Sequence, residues 1–150
     1  MKIVGKNGLG NIIKIILQIC FWVGIAFLII LPIILKSISI FEIMLYLNGI
    51  TMLVIVKQFI ELFDSLKIEK PFCNNTVKRM NIASIAAGIM TGLFFIETIY
   101  KFASNNSDIK INCILVFMTI LFLGVAIALY ILAELFRQAT EYKSENDLTI

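Results

Sequence analysis

Ile43-Met44-Leu45-Tyr46-Leu47-Asn48-Gly49-Ile50-Thr51-Met52-Leu53-Val54-Ile55-Val56 is the stretch on which the fold turns, because its 14 uncharged residues are held between Glu42 and Lys57. A run of about 10–14 apolar residues suits a buried or interfacial helix, whereas a helix that crosses a bilayer needs about 20. The runs on either side are clearer. Ile15 to Leu35 has no charge between Lys14 and Lys36 and is interrupted only by Gln18, Gly24 and Pro32. Met80 to Tyr100 carries Glu97 alone between Arg79 and Lys101, and Ile111 to Ala133 carries no charge between Lys110 and Glu134. The first run is longer than the roughly 7–15 apolar residues of a cleaved leader, and it ends in Leu31-Pro32-Ile33-Ile34-Leu35-Lys36 rather than in small residues, so it reads as a retained span.

Counting cations decides the doubtful stretch. If it crosses, Lys2, Lys6, Lys14, Lys57, Lys67, Lys70, Lys78, Arg79, Arg137 and Lys143 share one side, and Lys36, Lys101 and Lys110 share the other. That asymmetry is the one expected when the basic side is cytoplasmic. If it does not cross, the cations between Lys57 and Arg79 join Lys36 and the bias disappears. Lys57 can snorkel toward headgroups, which extends the usable span to Ile60. The expected fold is therefore all-α: a polytopic membrane protein of four transmembrane helices, a four-helix bundle of two antiparallel hairpins with both termini cytoplasmic. The spans are about 15–35, 42–60, 80–101 and 111–133, with a cytoplasmic loop 61–79 and a cytoplasmic tail 134–150, in one domain of 150 residues.

Composition agrees. The chain is 60% hydrophobic and 15% charged with a mean hydropathy of +0.97, against roughly half and a quarter in soluble domains. His is absent, which removes Ser-His and Cys-His pairs and His-ligated zinc. Asp64, Asp108 and Asp147 all fall outside the spans, so no intramembrane Asp dyad is available. Cys20, Cys73 and Cys113 form no Cys-x-x-Cys and read as free thiols. No glycine-rich loop could cradle phosphate, and the net charge of +3 sits beside the spans, a topology signal rather than a footprint for direct nucleic acid binding. The chain reads as no enzyme, with no cofactor and no metal.

Ionisable groups inside a bilayer cost at least about 2.5–3.5 kcal/mol at a helix centre, so each is a candidate functional residue. Glu97 is the one charge well inside a span, and Lys101 follows four residues on, in the favourable order for a helical ion pair. Snorkelling with Lys101 competes with a role in proton, cation or ligand binding. Asn48 and Thr51 are candidates for interhelical hydrogen bonds. Ser84, Gly88 and Gly92 repeat every four residues, as do Gly124 and Ala128; such stripes let helices approach closely. They predict tight packing of the third helix on the fourth, or dimerisation through one of them. Nine positions separate Glu97 from Gly88, about half a turn out of phase, so Glu97 stands off that stripe.

Glu61 to Lys70 continues the second helix, with Lys70-Pro71 as its stop, and Asn74, Asn75 or Thr76 can cap the third. Glu134 to Glu145 can extend the fourth. Glu61 and Glu134 sit near helix C-termini, where carboxylates oppose the dipole, so Arg79 and Arg137 are their expected partners, with a solvated charge belt as the alternative. Phe59 to Phe63 echoes Leu132 to Phe136, a weak sign of hairpin duplication.

Lys70-Pro71-Phe72-Cys73-Asn74-Asn75-Thr76-Val77-Lys78-Arg79-Met80, Ala133-Glu134-Leu135-Phe136-Arg137 and Ser144-Glu145-Asn146-Asp147-Leu148-Thr149-Ile150 resemble the DUF2975 family of small bacterial four-helix membrane proteins of unknown function. Thr76 departs from the pattern, which has Asn ahead of Val-Lys-Arg; Asn75 can take the capping role. The resemblance implies a neighbouring helix-turn-helix regulator, hence a membrane protein that senses a stimulus or holds such a regulator. Glu61, Pro71, Phe72, Arg79, Glu134, Arg137, Asp147 and Leu148 are then the candidate cytoplasmic contacts, and the partners are the lipid bilayer, the regulator and, for an oligomer, further copies of the chain. The alternatives are a small transporter or ion-conducting homo-oligomer using Glu97, or an immunity protein against a membrane-active peptide.

Overall fold

The computed structural model describes residues 9–34, 39–67, 74–104 and 108–147. They form α1 (Leu9–Ile34), α2 (Ile40–Lys67), α3 (Asn74–Ala103) and α4 (Ile109–Asp147). Each is long and apolar enough to cross a membrane, and no strand occurs among the described residues. The doubtful second stretch lies within the 28 residues of α2, about 42 Å of helix at 1.5 Å per residue.

The start of α2 explains why Glu42 can border an apolar run. Ser39 N–H donates to Glu42 Oε2 (2.8 Å) and Glu42 N–H donates to Ser39 Oγ (3.3 Å). This reciprocal capping box satisfies two donors that a helix start leaves open. At its other end α2 runs on through Glu61 to Lys67, and α4 runs on through Glu134 to Asp147. The Lys70-Pro71 stop and the residues before Asn74 lie outside the described residues. Pro32 falls in the last turn of α1, where its missing N–H removes a single bond.

The helices pack in chain order, α1 on α2, α2 on α3 and α3 on α4, all antiparallel. The expected bundle is an open one, since α1 touches α2 alone and α4 touches α3 alone at the level of the backbones. The reason lies in the spacing of buried positions. Asn48, Ile55 and Leu62 of α2 recur every seven residues, as do Thr76, Ala83, Met90 and Glu97 of α3. A sustained seven-residue period keeps one seam facing its neighbour along the whole helix. In α4 the buried positions are Asn112, Leu115, Leu129 and Ala133.

The core has two apolar parts. Ile55, Ala86, Ala87 and Met90 pack with Phe94 and Phe122, whose rings stack with centroids 5.7 Å apart. Leu62, Met80 and Ala133 pack with Phe59 and Phe136. This second cluster lies at the terminal end, where α1 and α3 begin and α2 and α4 finish.

Small residues do allow close approach, but of the four-residue stripes Ser84 takes part in it and the glycines and Ala128 do not. Gly88, Gly92, Gly124 and Ala128 are exposed, and a Cβ added at any of the three glycines would meet nothing within 4 Å. The α3–α4 seam is lined instead by Ala83, Ala86 and Ala87, and Ser84 Oγ donates to the Ala126 carbonyl across it (2.9 Å). The glycines in close contact are Gly24 and Gly49. A Cβ on Gly24 would lie 2.8 Å from Leu53 Cδ2, and one on Gly49 would lie 2.6 Å from Leu28 Cδ2. Each helix thus notches a leucine of the other, with glycine and leucine four residues apart in both helices.

Candidate functional site

The seven-residue period that buries Thr76, Ala83 and Met90 carries Glu97 into the same seam, and the period through Leu62 and Ile55 carries Asn48 there. The two meet at the end of the molecule opposite the termini. Asn48 Nδ2 donates to Glu97 Oε1 at 2.6 Å, and the residues are 3% and 1% exposed. Asn48 Oδ1 and Glu97 Oε2 have no hydrogen-bond partner. A buried acceptor without a donor is costly, about 1–3 kcal/mol and more for a charged group.

The expected Glu97–Lys101 ion pair is not formed. Lys101 places its ammonium 4.2 Å from the centroid of the Phe41 ring, a cation–π contact between α3 and α2. Four-residue spacing made the pair reachable, but Glu97 faces the seam while Lys101 turns to the aromatic at the start of α2. Thr51 is likewise not an interhelical donor, because its Oγ1 bonds to the Leu47 carbonyl of its own helix (2.9 Å). Asn112 was not singled out from sequence. It is 6% exposed, and its Oδ1 also lacks a donor. Its place seven-fold in phase with Ala126 and Ala133 was the signal that could have found it.

The terminal end is ionic. Glu61 at the end of α2 pairs with Arg79 at the start of α3, and Lys14 of α1 pairs with Asp64 of α2. In α4, Arg137 Nη2 and Nε donate to Glu134 Oε1 and Oε2 at 2.6 and 3.0 Å, and Arg137 Nη1 lies 3.6 Å from Glu141 Oε1. Glu61 and Glu134 therefore have different kinds of partner, one across helices and one within a helix. Asp64 took a partner that sequence reading had not assigned. Asp147 closes α4; Pro71, Phe72 and Leu148 lie outside the described residues.

No grouping of three or more His, Cys, Asp or Glu among the described residues could hold a metal ion. Cys20 and Cys113 are free and exposed. The family model described as "Protein of unknown function (DUF2975)" matches residues 9–150. No curated protein and no solved structure matches the chain.

Proposed function

The chain belongs to the DUF2975 family, and on that footing we propose that it is a non-enzymatic accessory or regulatory membrane protein whose basic end faces the cytoplasm and holds a helix-turn-helix regulator there. The observation that carries this reading is α4. Its 39 residues amount to about 58 Å of helix, against a hydrocarbon layer of about 30 Å. The apolar run stops at Ala133, so Glu134 to Asp147 projects as helix beyond it. A continuous helix ordered by its own Glu134–Arg137–Glu141 pairs offers a preformed docking arm, and the ten-to-three distribution of cations supports its cytoplasmic placement.

Co-purification tests the reading. The full chain is expected to retain a helix-turn-helix regulator encoded beside it, and a chain ending at Arg137 is expected to lose it. A truncated chain that retains the regulator would remove the arm from the account.

Burial of Glu97 favours a second reading, a transporter or ion-conducting oligomer. Between the Asn48–Glu97 pair and the ionic end, however, the described seam is filled by Ile55, Met90, Ala87 and Ala83. A single chain thus offers no polar path along that seam. Cation or proton flux in liposomes that falls in Glu97→Gln would restore this reading; flux absent from both proteins would discard it.

A further inference from the structure

Helix α1 lies at the edge of the array and packs on α2 alone, and 6% of its span is buried against 39% for α3. Lys14, Gly24 and Leu28 mark the side that it lays on α2, where they meet Asp64, Leu53 and Gly49. Cys20 and Phe27 border the gap toward α3 on one flank. Ile15, Gln18, Trp22, Ile25 and Ile29 lie on the other flank, about 100° round the helix from the α2 side. They are spaced three, four, three and four residues apart. This is the seven-residue period of the α2–α3 seam, and it keeps one face toward a neighbour along its length. Ile15, Trp22 and Ile29 are 47%, 69% and 61% exposed, so nothing among the described residues covers this second face.

Lipid suits the isoleucines but not the polar groups. Gln18 is exposed and makes no hydrogen bond among the described residues, and the same holds for the indole N–H of Trp22. Trp22 stands eight residues beyond Lys14, about 12 Å along the helix axis and deeper than the headgroup level at which bilayers hold tryptophan. An amide without a partner in hydrocarbon is costly, and glutamine in a membrane helix finds its partner on a neighbouring helix. The face therefore calls for a protein cover, and the chemistry of Gln18 says which. A primary amide carries both donors and an acceptor, so a second amide complements it fully. Two copies inserted the same way in one bilayer meet with their α1 helices parallel about a two-fold axis, and each residue on the axis meets its own equivalent. A polar residue at such a position fixes the register of the pair. Lys14, one turn before Gln18, is paired with Asp64 of its own chain, so the approach brings no unpaired like charges together at that level.

We infer that the chain forms a parallel homodimer through this face of α1. The two Gln18 amides hydrogen-bond to each other across the two-fold axis, and Ile15, Trp22 and Ile29 pack around them. The interface is independent of whether α4 docks a regulator.

Disulfide crosslinking of the full-length protein in lipid vesicles tests this. With Cys20, Cys73 and Cys113 replaced by Ser, Ile15→Cys and Ile29→Cys are each expected to give a disulfide-linked dimer on mild oxidation. Val23→Cys and Ile30→Cys replace side chains that are 62% and 49% exposed but stand about 100° further round the helix than Trp22 and Ile29, and they are expected to give little dimer. Adding Gln18→Leu to Ile29→Cys should lower the dimer yield about five- to tenfold at a low protein-to-lipid ratio. Equal yields at all four positions, no dimer at Ile15→Cys and Ile29→Cys, or a yield unchanged by Gln18→Leu would each overturn the inference. The comparison of the four positions with Gln18 intact decides the matter even if the Gln18→Leu variant is unstable.

Discussion

Asn48 and Glu97 show how a polar pair can sit in a seam that is otherwise aliphatic. Each holds a position that the seven-residue period would give to a hydrophobe, and one hydrogen bond joins them. Replacing Asn48 by Leu leaves Glu97 without its donor, so Asn48→Leu should lower stability by about 1–3 kcal/mol. Glu97→Gln keeps an acceptor for Asn48 at the same place in a side chain of nearly the same shape, so its unfolding midpoint in detergent should match or exceed that of the unmodified chain. The glycines make a sharper contrast. Gly88→Ala adds a methyl where nothing lies within 4 Å and should raise helix stability by up to about 1 kcal/mol. Gly49→Leu puts a side chain where Leu28 already sits and should separate α1 from α2, read as loss of a Gly24→Cys to Leu53→Cys crosslink. Sequence spacing did not distinguish these glycines, because a four-residue stripe fits an exposed face as well as a seam. Which face is covered depends on the neighbouring helix.

At the scale of elements, the apolar runs were legible and their ends were not. Each helix begins or finishes outside its apolar run, where charged residues are paired and continue the helix, Glu61 with Arg79, Asp64 with Lys14 and Arg137 with Glu134. The capping box at Ser39 and Glu42 is legible in the sequence as Ser-x-x-Glu, although the same Glu42 also bounds the apolar run. Ser39→Ala should cost about 0.5–2 kcal/mol, the usual range for losing such a cap, detected as faster hydrogen exchange in the first turn of α2. The arm of α4 behaves differently. Phe136 is its last residue in the core clusters, so truncation after Arg137 should leave the thermal midpoint of the membrane part unchanged. A large drop would mean that the arm folds back to support the helices.

For the molecule as a whole, serial packing sets α2 and α3 in the middle and α1 and α4 at the edges. Both the proposed cytoplasmic placement of the α4 arm and the depth of the Asn48–Glu97 pair rest on α2 crossing the bilayer. If Ile43 to Val56 did not cross, the ends of α3 and α4 would exchange sides and the charge asymmetry would lose its meaning. Side-specific labelling in intact cells tests this directly, using Ser65→Cys or Ser104→Cys in a chain whose native cysteines are replaced by Ser. Four crossings predict that a membrane-impermeant maleimide labels Ser104→Cys from outside and reaches Ser65→Cys only after the cells are opened. Labelling of Ser65→Cys in intact cells, with Ser104→Cys protected, would contradict the account.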